Sequence, residues 1–177
     1  MKHKHYRMMP ASGQKKGARV MNVPTIDQAV ADFSLPATSG QTFRLSDFQG
    51  KAHVVLYFYP KDSTPGCTTE GQDFRDAYAA FQAADTVIFG VSRDSLKSHE
   101  NFKSKQGFPF ELLSDSDETV CQLFDVMKLK NMYGKTVRGI ERSTFLIDKD
   151  GVLRHAWRKV SVKEHVAAVL AAAQQLT

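Results

Sequence analysis

At 177 residues the chain suits one domain with a real core, and a hydrophobic content of 42% excludes a disordered polymer. No apolar run approaches the roughly 20 residues of a membrane-spanning helix, and two distant cysteines make no disulfide framework. The formal net charge of +5 is misleading: Lys2, Lys4, Arg7, Lys15, Lys16 and Arg19 supply six positive charges with no acid before residue 21, so the remainder carries −1.

Residues 1–20 therefore read as a basic N-terminal tail, either a flexible segment or a leader, ahead of a compact domain over 21–177. It has no apolar h-region, so it is not a secretory signal, and without apolar periodicity it gives no reason to expect a nucleic-acid or membrane partner. His3 and His5 read as solvated polar residues. Residues 30–36 predict a short strand, Gly40 a turn, and residues 42–45 more extended chain, before a turn from Ser46 that closes at Gly50. Residues 54–59 are apolar without alternation, the pattern of a strand buried on both faces. Residues 67–82 predict a helix, with Phe74, Tyr78 and Phe81 at i, i+4 and i+7. Residues 86–91 read as another buried strand. Ser95 opens a helix to about Gln106, with Gly107 just past its end. A short extended piece at 110–113 and a short helix at 117–124 follow. Residues 143–147 and 152–157 predict a hairpin across Asp148-Lys149-Asp150-Gly151. Val162, Val166, Val169, Leu170 and Ala173 stripe a final helix. The order predicts an α/β domain: a mixed central sheet with helices on both faces.

The chemistry concentrates in Pro60-Lys61-Asp62-Ser63-Thr64-Pro65-Gly66-Cys67, directly after the first buried strand. Cys67 opens the predicted helix, where unpaired backbone N–H groups and the positive end of the helix dipole favour a thiolate. Such a cysteine is a nucleophile. Thr64, three residues earlier, can offer a hydroxyl to the thiolate and to an incoming oxygen. Pro60 can stiffen the loop and keep bulk water away. A thiolate also needs a cation, best an arginine, and Arg142 stands just before the strand-like run at 143–147, which an α/β sheet can bring beside the first buried strand. Taken singly, Pro60 merely ends a strand, Thr64 caps a turn and Arg142 pairs with Glu141 or Glu70. Together, beside a cysteine at a helix start, they point to chemistry. Glu70 is placed to orient Arg142, and Tyr59 to flank the pocket. His53, His99, His155 and His165 read as surface or core-edge residues and Trp157 as packing. No His, Asp and Glu stand at ligand spacing, so no metal, haem or flavin is expected.

These residues resemble the peroxiredoxin family, whose Pro-x-x-x-Thr-x-x-Cys motif is matched by Pro60, Thr64 and Cys67 and whose later arginine is matched by Arg142. The strings Tyr-Pro-Lys-Asp-Ser-Thr-Pro-Gly-Cys-Thr-Thr-Glu from Tyr59 and Arg-Ser-Thr-Phe-Leu-Ile-Asp from Arg142 look like the Q-type branch, also called bacterioferritin comigratory protein. The similarity runs from about Val23 to near the C-terminus. It implies a thioredoxin-like fold and a thiol-dependent peroxidase. The Cys67 thiolate would attack a peroxide and become a sulfenic acid. Thr64, Arg142 and a backbone N–H of Gly66 or Cys67 would steady the charge on the oxygens, with Pro60 shielding the loop. The partners implied are hydrogen peroxide or an organic hydroperoxide and, as reductant, thioredoxin, glutaredoxin or glutathione. A cytoplasmic protein, monomeric or weakly dimeric, is expected.

The chain departs from this pattern in its second thiol. Many Q-type members carry a resolving cysteine five residues after the first, where this sequence has Gln72; a second family site, around residues 101–105, has none either. Cys121 remains. It reads either as a resolving thiol forming a Cys67–Cys121 disulfide or as a small apolar side chain beside Val120 and Phe124. On the second reading an external thiol attacks Cys67 directly. Other functions are a peroxide sensor or holdase using the same thiolate, and a thiol–disulfide carrier, which the missing Cys-x-x-Cys disfavours.

Overall fold

The computed structural model describes residues 23–176; the basic tail, and with it the reading of residues 1–20, lies outside them. A small antiparallel pair, β1 (Ser34–Pro36) and β2 (Thr42–Arg44), leads through a 3₁₀ turn at Leu45–Phe48 into the centre of the molecule. The central sheet has the order β5 (Leu112–Ser114), β4 (Thr86–Ser92), β3 (His53–Phe58), β8 (Ser143–Ile147), β9 (Leu153–Trp157). β3, β4 and β5 run parallel, while β8 is antiparallel to β3 and β9 to β8. The expected mixed sheet is therefore present.

β3 is buried along its whole length, as its unbroken apolar run requires, and its alternate residues face two separate cores. Val55 and Tyr57, followed by Tyr59, pack with α1 (Pro65–Asp76), α2 (Tyr78–Ala83), α3 (Leu96–Gln106) and α5 (His165–Gln175). Val54, Leu56 and Phe58 face the other way, toward Leu35, Phe43, Phe145 and α4 (Thr119–Leu123). The period of two in a strand makes this division.

Three predicted elements differ in extent. The strand expected over 30–36 splits, because Val30 turns its N–H to Gly151 O at 2.9 Å while only Ser34–Pro36 pairs with β2. The helix expected over 67–82 is interrupted at Ala77 (φ −95°, ψ 2°), a step that leaves Phe74 and Phe81 both buried with ring centroids 5.9 Å apart. The last helix begins at His165, since Glu164 takes a left-handed φ of 63°. An antiparallel hairpin, β6 (Met127–Met132) and β7 (Lys135–Ile140), was not anticipated. Its two-residue turn, Tyr133-Gly134, has both φ angles positive (52° and 76°), the type I′ geometry that fits the strand twist.

Candidate active site

The pairing of β3 with β8 explains how residues 75 positions apart meet. Phe58 at the end of β3 lies opposite Ser143 at the start of β8, so the loop leaving β3 and the residue preceding β8 share one edge of the sheet. Tyr59 still holds the sheet through its N–H to Val91 O at 3.1 Å. Pro60, half-buried, turns the chain away. Thr64 is extended (φ −88°, ψ 155°) and Pro65 starts α1, a position where its missing N–H costs nothing. Cys67 falls in the first turn, buried, with the N–H groups of that turn free of intrahelical partners.

Arg142 reaches this point. Its Nη2 lies 3.5 Å from Cys67 Sγ, and its Nη1 donates to Glu70 Oε1 at 2.8 Å. The guanidinium thus bridges two side chains one helical turn apart. A side chain at Gly66 would put its Cβ 3.1 Å from Nη2, so the glycine keeps the approach open. Burial opposes the Arg142 charge, but the Glu70 carboxylate and the Cys67 sulfur outweigh it and hold the guanidinium pKa above its ordinary value. Glu70 is fully buried, and burial lifts its pKa to about 7 although Arg142 pulls the other way. Glu70 Oε2 has no partner among the described residues. Burial, then Glu70 and Cys67, push the Tyr57 phenol well up, so it stays neutral.

Of the residues read from sequence, Cys67, Arg142 and Glu70 come together as expected, and Glu70 rather than Glu141 is the ion-pair partner. Thr64 is nearby but differently engaged: its hydroxyl donates to Lys61 O at 2.8 Å. Tyr59 is buried in the same core as Cys67, with its hydroxyl donating to Asp62.

That last bond belongs to a network the sequence did not disclose. Asp62 accepts from Tyr59 Oη at 2.6 Å and from Ser98 Oγ at 2.8 Å, and its Oδ2 lies 2.7 Å from His99 Nδ1. Its backbone N–H donates to Asp94 Oδ2 at 3.0 Å. His99 Nε2 donates to Leu113 O at 2.9 Å, because a carbonyl only accepts. The cysteine loop is thereby bolted to α3 and to the ends of β4 and β5. His99, expected at the surface or core edge, is fully buried; His53 and His165 are buried too, and His155 is half-buried, stacked on Trp157. Asp62, Asp94 and His99 bring ligand-type atoms within 4.8 Å of one another. Both imidazole nitrogens are already spent on hydrogen bonds, so the group works as a clamp.

Cys121 is placed elsewhere. It packs in the core on the other face of β3, with Val54, Leu56 and Phe58, whereas Cys67 packs with Val55, Tyr57 and Tyr59. Burial and then Asp115 push its thiol pKa far up, and its N–H is tied to Asp115 Oδ2 at 2.6 Å. Both cysteines are free thiols. The central sheet stands between them, an arrangement that favours the packing reading of Cys121.

Comparison with known proteins places the geometry in context. The profile of the AhpC/TSA family matches residues 26–156. A peroxiredoxin Bcp of Bacillus subtilis is 54% identical over 145 residues, 82% of this chain and 92% of that protein. A peroxiredoxin Bcp of Xanthomonas campestris is 54% identical over 153 residues, 86% of this chain and 96% of that protein. Among solved structures, a Xanthomonas campestris peroxiredoxin Q aligns with TM-score 0.77 at 55% identity, covering 81% of this chain and 90% of that one. A Xylella fastidiosa PrxQ mutant aligns with TM-score 0.81 at 43% identity, covering 86% and 96%.

Proposed function

The chain belongs to the AhpC/TSA family, in its Q-type peroxiredoxin branch, and is a thiol-dependent peroxidase; on that premise we propose the following division of labour among its residues. The Cys67 thiolate attacks one oxygen of the peroxide in line with the O–O bond. That bond breaks, the S–O bond forms, and the second oxygen leaves as water or an alcohol after taking a proton. Negative charge spreads over both oxygens in the transition state, where fixed donors count most. Arg142 and the free N–H groups of Gly66 and Cys67 supply them. The Thr64 hydroxyl joins by turning from Lys61 O toward the substrate. Glu70 holds the guanidinium in place, and Pro60 and the Asp62–His99 clamp fix the loop. A Xanthomonas campestris relative has been studied for its alkyl peroxide reduction activity, and we extend organic hydroperoxides, with hydrogen peroxide, to this chain as substrates.

The product is a sulfenic acid on Cys67. An external thiol attacks it, releasing water and leaving a mixed disulfide; a second thiol then restores Cys67 and departs in a disulfide. Thioredoxin, glutaredoxin and glutathione fit this role. The cycle suits a reducing cytoplasm and a monomer or weak dimer.

The observation that carries the reading is the 3.5 Å contact of Arg142 Nη2 with Cys67 Sγ. Intact mass after one equivalent of hydrogen peroxide tests the cycle. A gain of one oxygen on Cys67, with Cys121 still open to a blocking reagent after unfolding, is expected in wild type and Cys121→Ser alike. Loss of two hydrogens in wild type but not in Cys121→Ser would overturn it. Cys67→Ser should consume no peroxide, while Cys121→Ser keeps most turnover with a supplied thiol. A single turnover with thiol in excess would instead indicate a sensor.

A further inference from the structure

The β6–β7 hairpin stands apart from the central sheet and, among the described residues, its strands pair only with each other. Four large apolar residues on it face water: Leu129 is 72% exposed, Met132 50%, Tyr133 100% and Val137 44%. A two-stranded ribbon is marginal alone, and this one anchors Ile140 and Met127 in the core at its base while giving these four side chains to solvent.

Tyr133 is the most telling of them. It occupies the first position of a type I′ turn, at φ 52°. Asn or Gly fits there readily, and a bulky aromatic residue is strained. The chain thus holds a fully exposed ring at the tip of the ribbon, on a backbone that disfavours it. Strain of this kind is characteristic of functional segments.

The ribbon is also cationic. Residues 127–140 include Lys128, Lys130, Lys135 and Arg138 and no acid. Arg93 lies beside them, bonded with Arg138 to the same Glu118 carboxyl group. Against these five cations stand Glu118, Asp125, which pairs with Lys128, and Glu141 beyond the strand. A positive excess remains on a domain whose residues beyond the tail sum to −1.

Position completes the case. β7 ends at Ile140, two residues before Arg142, which contacts Cys67 Sγ. Arg93 and Asp94 follow β4 at the edge where Asp94 holds the cysteine loop through the Asp62 N–H. The base of the ribbon therefore lies beside the site.

We propose that the β6–β7 ribbon is the docking surface for an acidic protein dithiol that reduces oxidised Cys67. The inference rests on the external-thiol cycle and deepens it by naming the surface. An exposed aromatic ring inside a cationic field suits a transient partner, with charge governing encounter and the apolar tip giving the anchor. A second copy of this chain fits less well, since a self-complementary contact would press the same cations together.

The test uses a reduced thioredoxin of acidic isoelectric point as the protein reductant and dithiothreitol as a neutral one. Lys128→Glu/Lys135→Glu should lower kcat/KM for thioredoxin by about tenfold or more, mostly through KM, and remove its decline with salt. Tyr133→Asn suits the turn, so the fold should be kept or strengthened while thioredoxin-dependent turnover falls several-fold. Dithiothreitol-supported turnover and single-turnover oxidation of Cys67 should match wild type in both. Unchanged thioredoxin kinetics in both variants would overturn the proposal. So would an equal loss with dithiothreitol, or wild-type dimerisation through the ribbon seen by light scattering. Abolition of dithiothreitol turnover by Cys121→Ser would instead break the external-thiol cycle itself, whatever the ribbon variants do.

Discussion

Replacing Arg142 by Met separates the chemical from the structural role of the guanidinium. The substitution removes a charged donor 3.5 Å from Cys67 Sγ and the partner of a fully buried carboxyl. For chemistry, deleting one preorganised donor from a developing oxyanion costs about 3–4 kcal/mol, or roughly 10²–10³-fold in rate. For stability, a buried charge left alone costs about 3–5 kcal/mol. Glu70 has an escape: its pKa is already about 7 with Arg142 present, and without that cation it rises further, so at neutral pH the carboxyl protonates. The stability loss then shrinks to that of a missing buried hydrogen bond, about 1–3 kcal/mol. In Arg142→Met/Glu70→Gln no buried charge is left, so most of the lost stability should return while the rate stays low. Single-turnover oxidation by hydrogen peroxide, followed by quench and mass, gives the rate; urea midpoints give the stability. If Arg142→Met oxidises Cys67 as fast as wild type while losing stability, the guanidinium is only a structural partner of Glu70. The assignment of its transition-state role would then fail.

Glu70→Gln alone probes the same pair through pH. The folded pKa lies above the ordinary carboxyl value, so the folded state binds the proton more tightly. Its contribution to stability is fully present below about pH 4.5 and is lost as pH rises through about 7, by about 3 kcal/mol in all. The glutamine variant should lack that slope; an unchanged slope in urea midpoints between pH 5 and 8 would refute the shift. His165 works in the opposite sense. Burial and then Arg142 lower its pKa to about 4, so its contribution is present above about pH 6.5 and lost as pH falls through 4. His165→Gln, which can still meet Thr144 Oγ1, should flatten the acid side of the stability profile. Gly71→Ala should destabilise, against the usual helix preference. Its Cβ would lie 2.9 Å from Phe108 Cε1 and closer still to Cζ, and Phe108 is wedged between Phe102 and Phe110. Overpacking of about 1–3 kcal/mol exceeds a helix gain of about 1 kcal/mol; a higher urea midpoint would show that the ring yields.

The legible parts of this chain are those whose physics is local or fully buried. The strands at 54–59, 86–91 and 143–147 announce themselves because both faces are covered, which leaves long apolar runs. Cys67 and Arg142 stand out because a proline-ended strand and a helix start frame one and a strand start frames the other. The ribbon at 127–140 was missed for the converse reason: little of either face is buried, so no hydrophobic alternation marks it. The Asp62–His99 contact joins residues 37 apart, and buried polar residues look like surface ones until a partner is known. Thr64 shows a different limit. Its place just before α1 was legible, but the direction of its hydroxyl depends on the turn at Lys61.

The sheet bears on which thiol can finish the reaction. Cys67 on α1 and Cys121 on α4 pack in the cores on opposite faces of β3, and a disulfide between them would require one core to open. The position where many relatives carry a resolving cysteine is occupied by Gln72, whose Nε2 donates to Gln106 Oε1 at 2.9 Å, while Arg75 Nη1 donates to Gln106 O at 2.8 Å. Phe108 fills the hollow at Gly71 on the same side. The helix bearing Cys67 is therefore fastened to the end of α3 where those relatives place a thiol. A cycle that closed through this helix would have to break these contacts at every turnover. An outside thiol avoids that cost but must reach a buried sulfur beside Arg142 and the loop that follows β3. The Asp62–His99 clamp fixes that loop for attack on small peroxides, and it is the same loop that must admit the larger reductant.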